Sequence, residues 1–235
     1  MSLPERILVT GGGTGLGYSI AEALVERGAE VFICGRRRRV IERAAMQIGA
    51  TPLSGDITGP PGPLLEATGP IDGLIHNAGS SIYEPLGEWT EKSWSELWEV
   101  HVKGPALLSQ AFAAQCPGPG SIVAISSSLA VRTAQGKAAY SSAKAGLLSL
   151  IRSLALELAP QGIRANAILP GVVPTAMTQS AQGEVSAEER LKTLESLHPL
   201  GLGAPEKVAQ AVVGLLENTW ISGAALSVDG GLLVS

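Results

Sequence analysis

The chain has 235 residues, 45% of them hydrophobic, with 17 basic against 21 acidic side chains and a formal net charge of −4. This length and apolar content suffice for a full hydrophobic core and predict one domain over residues 1–235. The mild acidic excess argues against a nucleic-acid-binding surface. We find neither signal-peptide features nor a run of about 18 apolar residues, so the sequence predicts a cytoplasmic protein without membrane contact. The two cysteines, Cys34 and Cys116, are predicted to be buried thiols rather than a disulfide.

A short apolar run at residues 7–9 leads into the glycine-rich segment 10–17, and apolar residues at helical spacing follow it. A strand, a glycine turn and a helix in this order are typical of a dinucleotide site. Gly11 permits the tight turn, Gly15 lets backbone approach a pyrophosphate, and Gly17 lets the helix pack on the strand. The free N–H groups at the helix start face the anion. A plain flexible loop is the alternative, which the flanking strand and helix disfavour.

The second predicted strand, residues 30–34, ends at a glycine that four arginines follow, residues 36–39. Folds that bind NAD usually place an acidic residue here to hold the ribose 2′-OH. Arg36 and Arg37 instead favour a 2′-phosphate, because the guanidinium fork binds phosphate oxygens in pairs. The sequence therefore predicts NADP(H), with NAD(H) the less favoured cofactor. A solvated helix start is the better interpretation for at least one of the two remaining arginines.

A third short strand over residues 51–54 ends near Asp56, whose carboxylate is placed to accept a hydrogen bond from an adenine amino group. Residues 58–70 contain four prolines and three glycines, which leaves room for only a turn or two of helix. The next strand ends in a sharp turn at Asn77 and Gly79, where the amide binds backbone and the glycine lets a ribose approach. An ordinary turn is the alternative there.

Residues 89–116 have the apolar spacing of one long helix, with His101 near its middle as a packed polar residue. After this helix, an apolar and β-branched run at residues 122–125 predicts a strand buried on both faces. That strand breaks into three serines, residues 126–128, which therefore sit at its carboxyl end.

The helix after the serines carries Tyr140 and Lys144 four residues apart, so both side chains lie on one face. A neighbouring ammonium favours phenolate and lowers the tyrosine pKa toward the working range, which suits general acid–base catalysis. One of the three serines can hydrogen-bond the same substrate oxygen, and the residues alone do not decide which. A helix with an exposed tyrosine and lysine is the alternative, since so short a motif also occurs by chance.

The rest of the chain continues the alternation of strands and helices. A strand at residues 164–169 runs into a proline-rich turn, and residues 176–203 are polar, partly periodic and predicted to form a mobile substrate lid. A helix at residues 205–216 then precedes a last strand at 225–228. The predicted fold is α/β, a single-domain Rossmann-type doubly wound parallel sheet with helices on both faces. The predicted strand ends that meet at one crevice carry Thr10, Gly35, Asp56, Asn77, Ser127 and Pro170.

The chain resembles the short-chain dehydrogenase/reductase family over essentially its whole length. The matching segments are Thr10-Gly11-x-x-x-Gly15-x-Gly17, Asn77-Ala78-Gly79, Ser127, Tyr140-x-x-x-Lys144, Pro170-Gly171 with Thr175, and Asp229-Gly230-Gly231. The resemblance implies Tyr140 as general acid/base and Ser127 as stabiliser of the substrate oxygen. It implies that Lys144 lowers the pKa of Tyr140 and binds the nicotinamide ribose.

The resemblance also implies how the cofactor is held. Asp56 and Ile57 are expected at adenine, Asn77 and Gly79 near the adenosine ribose, and Val173 with Thr175 at the nicotinamide carboxamide. The complete predicted cofactor site consists of Gly11, Thr14, Gly15, Leu16, Gly17, Arg36, Arg37, Asp56, Ile57, Asn77, Gly79, Tyr140, Lys144, Pro170, Gly171, Val173 and Thr175. No metal is expected.

His101 departs from the family pattern, which usually has asparagine at this position. The backbone of that asparagine helps to hold a water molecule that links the lysine to solvent. Our hypothesis is that catalysis survives, because a backbone carbonyl still holds the water and the imidazole itself carries protons. His101 is therefore included among the predicted catalytic residues.

The predicted function is hydride transfer between NADP(H) and a small-molecule carbonyl or alcohol, by similarity to NADP(H)-dependent carbonyl and 3-oxoacyl reductases. The alternative is a non-catalytic NADP(H)-binding sensor or scaffold of the same fold, which His101 alone favours. A dehydratase or epimerase of the family has no distinctive residue in its favour. A homodimer or homotetramer is expected by resemblance.

Overall fold

The computed structural model describes residues 3–179 and 186–235, and its centre is a seven-stranded, all-parallel β-sheet with helices on both faces. The strand order is β3-β2-β1-β4-β5-β6-β7. The strands are β1 Arg6–Thr10, β2 Glu30–Gly35, β3 Thr51–Ser54, β4 Gly73–His76, β5 Gly120–Ile125, β6 Ile163–Pro170 and β7 Ala225–Val228. The predicted α/β fold is confirmed.

The helices lie between these strands in the chain. They are α1 Gly15–Val25, α2 Arg38–Ile48, α3 Gly62–Thr68, α4 Glu91–Trp98, α5 Gly104–Gln115, α6 Ala138–Glu157, α7 Ala176–Gln179, α8 Ala187–Glu195 and α9 Pro205–Glu217. A π-helical turn, Glu99–Lys103, joins α4 to α5, and short 3₁₀ turns cover Ser128–Ala130 and Ala159–Gln161.

The apolar core is divided into two layers, because successive strand residues point to opposite faces of the sheet. On β1, Ile7 and Val9 pack with α1, α2 and α9, whereas Leu8 packs with α3, α5 and α6. All three side chains are fully buried. A strand covered by helices on both faces has no polar side, which is why its sequence reads as an unbroken apolar run.

The strand order reverses beside β1. The chain passes from β1 outward to β2 and β3, then returns to β4 on the other side of β1. In open α/β sheets, ligands bind at the carboxyl ends of the strands where such a reversal opens a crevice. The fold therefore places the glycine turn after β1, the turn after β4 and the serines after β5 at one edge.

A buried threonine ties the two strands together at this reversal. The Thr10 hydroxyl donates to the Ile75 carbonyl at 3.0 Å and accepts from the N–H groups of Asn77 at 2.9 Å and Ala78 at 3.1 Å. The Asn77 side-chain amide donates back to the carbonyls of Thr10 at 3.0 Å and Gly11 at 3.2 Å. Five hydrogen bonds thus fix the glycine turn relative to β4.

The segment predicted as one long helix at residues 89–116 contains a π turn instead of continuous α-helix. Within it the Gly104 N–H donates to the Glu99 carbonyl, five residues back. Pro105 supplies the physical reason: it has no N–H to donate to the His101 carbonyl four residues earlier, and its ring would press against that carbonyl. Single π turns within helices are frequent at functional sites.

Other predictions differ little from the structure. The segment rich in proline and glycine holds only the seven-residue helix α3, as predicted. Cys34 is buried, but Cys116 is partly exposed, and both are free thiols.

The lid predicted over residues 176–203 contains α7 and α8, and its residues 180–185 lie outside the described part of the chain. Within the described ranges, no helix combines the length and apolar character needed to cross a membrane.

Thr10→Val should lower the free energy of unfolding by about 2–4 kcal/mol, because it leaves two buried N–H groups and one carbonyl without their hydroxyl partner. Thr10→Ser, which keeps the hydroxyl, is the matched control and should lose less than half as much. Urea unfolding monitored by circular dichroism measures both. An unchanged free energy of unfolding in Thr10→Val would show that the hydrogen bonds of the hydroxyl do not stabilise this junction.

Candidate active site

A cavity of about 920 Å³ opens at the carboxyl edge of the sheet. Its wall includes every predicted catalytic and cofactor residue except Gly17. Ser80 and Ile82, to which sequence reasoning assigned no role, also line it, as do Met177 and Thr178 of the predicted lid. The fold therefore brings segments from the whole length of the chain to one concave surface.

The glycine turn has the backbone shape that the sequence predicted for an anion cradle. Gly11 and Gly15 have φ angles of +66° and +58°, in the left-handed region that side chains disfavour. A Cβ on Gly17 would lie 2.3 Å from the Gly11 carbonyl oxygen and 2.4 Å from Nδ2 of Asn77. Gly17 therefore serves close packing and stands behind the cavity wall, whereas the N-terminus of α1 opens toward the cavity.

Gly79 is needed for a reason that the sequence did not reveal. A Cβ on Gly79 would lie 2.2 Å from Cε1 of His101, so the missing side chain makes room for the imidazole. That Gly79 lets a ribose approach stays a prediction. His101, a departure from the family pattern, thus fits because its neighbour is glycine.

Only part of the arginine-rich segment, residues 36–39, lines the cavity. Arg36 and Arg37 line the cavity, and Nη1 of Arg36 lies 3.9 Å from Oδ2 of Asp56. Asp56 Oδ1 accepts from the N–H and the hydroxyl of Thr58, at 3.0 and 2.9 Å, which fixes the carboxylate. Arg38 pairs with a glutamate one helical turn later, as expected for a solvated helix start.

Tyr140 and Lys144 lie four residues apart on α6, and both line the cavity. Nζ of Lys144 lies 5.7 Å from the centre of the Tyr140 ring and donates to the Ile125 carbonyl at 2.7 Å. Only 4% of Lys144 is exposed. The lysine is therefore positioned by the last residue of β5, beside the phenol.

The three serines, which the residues alone left equivalent and of which the resemblance selected Ser127, have different surroundings in the structure. The Ser126 hydroxyl donates to the Lys144 carbonyl at 3.0 Å and is buried. Ser128 is buried at the start of a 3₁₀ turn. Ser127 lines the cavity and its hydroxyl hydrogen-bonds Tyr140, while its oxygen also accepts from the Leu129 N–H at 3.1 Å. Ser127 is the serine whose hydroxyl meets the phenol.

Burial dominates the electrostatics of this pair. It lowers the pKa of Lys144 to about 7, because the charged ammonium loses water. It raises the pKa of Tyr140 to about 12, and the hydrogen bond with Ser127 acts in the opposite direction. Lys144 is not among the causes of the Tyr140 shift, so the expectation that it lowers the Tyr140 pKa stays a prediction. Burial favours the protonated phenol.

The imidazole of His101 packs against the ring of Tyr140. The two rings meet edge to face, with centres 5.4 Å apart and planes at 88°. Burial, assisted by the charge of Lys144, lowers the pKa of His101 to about 3. Because of this low pKa, the imidazolium form is scarce at neutral pH. This argues against the hypothesis that the imidazole of His101 carries protons.

His198 is a structural link that the sequence analysis missed. Its Nε2 accepts from the Val172 N–H at 3.0 Å, and its Nδ1–H donates to the Leu194 carbonyl at 2.6 Å. The ring thereby joins the turn after β6 to the end of α8. No local pattern marks such a residue, because its partner Val172 is 26 positions away in the chain.

Within residues 3–179 and 186–235, no group of three or more histidine, cysteine or acidic side chains is arranged to hold a metal ion.

Comparison with known proteins agrees with this architecture. The family model described as enoyl-(acyl carrier protein) reductase matches residues 11–233. A 2-(S)-hydroxypropyl-CoM dehydrogenase from Xanthobacter autotrophicus is 31% identical, over 97% of this chain and 96% of its own length. A short-chain type dehydrogenase/reductase from Mycobacterium marinum has a TM-score of 0.90 at 26% identity, covering 98% of this chain and 96% of its own. Actinorhodin polyketide ketoreductase, solved with NADPH, has a TM-score of 0.92 at 29% identity, covering 98% of both chains.

The fold, the shared motifs and these matches define the class. The chain belongs to the short-chain dehydrogenase/reductase family, and it is an oxidoreductase with a dinucleotide-binding fold.

Lys144→Met should stabilise the fold at neutral and acidic pH, raising Tm by about 5 °C at pH 6.5, because it removes a buried charge. The folded pKa of about 7 lies below the ordinary 10.5, so the unfolded chain binds more protons between these values. Native stability therefore rises with pH in that window, and the advantage of methionine shrinks toward pH 10. Thermal unfolding across pH tests this.

Lys92→Met, at a side chain that is 83% exposed, is the control and should change Tm little at any pH. A Lys144→Met advantage that did not vary with pH would mean that packing, and not the buried charge, is responsible.

Proposed function

We propose that this protein transfers a hydride between NADP(H) and a small-molecule carbonyl or alcohol. The observation that carries the proposal is that Ser127, Tyr140 and Lys144 line the same cavity as the glycine turn, Arg36 and Arg37. A cavity whose wall carries both an anion cradle and a proton donor suits a dinucleotide and a substrate together.

The cavity wall fits the proposed cofactor. The N-terminus of α1 and the left-handed glycines would hold a pyrophosphate, Ile57 would contact adenine, and Val173 with Thr175 would contact the nicotinamide end. When bound, the nicotinamide supplies or accepts the hydride. Arg36 and Arg37 support NADP(H), since guanidinium groups would meet a 2′-phosphate directly. The ketoreductase of similar fold, solved with NADPH, is consistent with this choice.

The chain's own residues handle the proton. In the reducing direction Tyr140 donates its phenolic proton to the substrate oxygen, and Ser127 hydrogen-bonds the same oxygen. A charged Lys144 beside the ring stabilises the phenolate that Tyr140 becomes. Carbonyl reduction therefore requires a protonated Lys144, and kcat/KM for reduction should fall as pH rises through about 7.

The proposal extends to the assembly. Exposed apolar side chains on neighbouring helices, Trp98 at the end of α4, Leu107 on α5 and Leu156 on α6, support a homodimer or homotetramer. We place the protein in the cytoplasm. The substrate is a small molecule, whose contacts would include Ile82 and Met177 on the cavity wall.

The test is consumption of NADPH and of NADH with a panel of ketones, diketones, quinones and acyl thioesters. Native protein should turn over with NADPH, and Tyr140→Phe should lower kcat by about 10²–10⁴-fold, the usual contribution of a positioned proton donor. The Phe variant keeps the ring packing against His101, so its Tm should change little. Tight NADPH binding without turnover on any carbonyl would instead favour the sensor alternative.

A double change, Arg36→Ala with Arg37→Ala, should raise KM for NADPH by about 10–100-fold, the loss expected for one or two charge-assisted contacts. KM for NADH should change by less than about threefold, because NADH has no 2′-phosphate to contact. Arg39→Ala, outside the cavity wall, is the control. Parallel losses for both cofactors would rule out the assigned role of the arginines.

A further inference from the structure

Lys137 occupies the N-cap position of α6, where a positive charge opposes the helix dipole. Helix starts favour serine, threonine, asparagine and aspartate, whose side-chain oxygens accept from the free N–H groups. The Lys137 side chain makes no such cap, and Tyr140 follows it by three positions. A residue that breaks a local rule beside the proposed proton donor indicates that its side chain serves another element of the fold.

The ammonium of Lys137 reaches the loop that joins β4 to α4. Its Nζ donates to the Ser81 hydroxyl oxygen at 2.9 Å and to the Ile82 carbonyl at 3.2 Å. The same nitrogen lies 5.9 Å from the centre of the Tyr83 ring. A carbonyl oxygen and an aromatic face both stabilise an ammonium. Lys137 therefore holds three successive loop residues against the start of α6.

Gly136, the residue before Lys137, adds two further contacts to this attachment. Its φ is +70°, and a Cβ there would lie 2.4 Å from Cε2 of Tyr83, so the ring fills the space of the missing side chain. The Gly136 carbonyl accepts from the Glu84 N–H at 2.9 Å. The Glu84 carboxylate in turn accepts from the Ser93 hydroxyl on α4. The segment 81–84 is thereby fixed between α6 and α4.

Ile82 is the residue of the segment 81–84 that lines the cavity. Its side chain and the Tyr140 ring both pack on one small cluster of buried apolar residues, Leu97, Ala139 and Ala143. The branched side chain and the phenol therefore share one part of the cavity wall. A carbonyl that accepts the Tyr140 proton would have a substituent beside Ile82, and an apolar wall suits an apolar substituent.

We propose that Lys137 is a positioning residue: by holding the segment 81–84 against α6, it sets how far Ile82 extends toward the phenol of Tyr140. Ile82 is the specificity-determining residue, because it limits the size of the group that a carbonyl substrate carries on that side. The substrate class is a ketone whose substituent there is compact and apolar. This role rests on the proposed function, in which a carbonyl binds beside Tyr140.

The attachment is measured by hydrogen exchange of the Glu84 amide, followed by NMR of the full chain labelled with ¹⁵N. Lys137→Met keeps a long side chain and removes the donors, so Glu84 should exchange about tenfold faster, because the segment opens more often. Lys137→Arg keeps a cation and its donors and should stay within about threefold of native. Lys207→Met, at an exposed lysine of α9, is the control and should leave the Glu84 rate unchanged.

Substrate selectivity is the readout that a merely structural lysine would not move. The probes are butanone and pinacolone, two methyl ketones that differ in an ethyl against a tert-butyl group. Ile82→Ala should raise the ratio of kcat/KM for pinacolone to kcat/KM for butanone about tenfold, the scale for a methylene-sized change in a pocket. Lys137→Met should raise this ratio at least about threefold although the isoleucine is still present, with kcat for butanone and KM for NADPH within about threefold of native. Lys137→Arg should restore the native ratio.

Three results would overturn the inference. The first is a native ketone ratio in Ile82→Ala or a native Glu84 exchange rate in Lys137→Met. The second is an equal loss of activity on both ketones in Lys137→Met, since a general distortion of α6 has no preference between them. The third is turnover of other carbonyls but of neither ketone, which would contradict the substrate class.

Hydrogen exchange needs no turnover, so the two proposals can fail separately. Faster Glu84 exchange in Lys137→Met, in a protein that reduces no carbonyl with either cofactor, would contradict the proposed function and leave the attachment of the segment 81–84 standing. Carbonyl reduction with NADPH, together with a native ketone ratio in both Ile82→Ala and Lys137→Met, would do the reverse.

Discussion

The junction between the carboxyl ends of β1 and β4 is the constraint on which the site depends. The Thr10 hydroxyl and the Asn77 amide exchange hydrogen bonds across it, and both are held within the fold rather than offered to a ligand. This junction sets where the glycine turn points and where the loop toward Ser80 begins. Since the strand order reverses here, an error of one residue in register would move the glycine turn away from the turn after β4.

Desolvation is the second organising force. It moves the pKa values of Lys144 and Tyr140 in opposite directions, each toward its neutral form. A neutral phenol at working pH is useful in a reductase, because it is ready to give a proton. Lys144, with a pKa near 7, lowers the stability of the fold when it is charged, because its ammonium is buried away from water. Functional sites commonly lower the stability of the fold in this way.

The departure at His101 is accommodated by three local features. Pro105 interrupts the helical hydrogen bonds one turn after His101, Gly79 leaves space for the imidazole, and the Ser80 carbonyl fixes the tautomer. Each feature alone reads as an ordinary sequence detail. Together they explain how a larger, aromatic side chain fits where the family usually has asparagine.

The sequence by itself determined the fold class and predicted which segments meet at the carboxyl edge of the sheet. Apolar runs such as residues 7–9, the glycine spacing and the four-residue interval from Tyr140 to Lys144 are local properties, and local spacing dictates strand, turn and helix face. Only the tertiary structure decided that the Ser126 hydroxyl binds the Lys144 carbonyl, why Gly79 is glycine, that burial raises the tyrosine pKa, and that His198 joins the turn after β6 to the end of α8. Those outcomes depend on burial and on contacts between segments far apart in the chain. The spacing of residues along the chain specifies neither the burial nor these contacts.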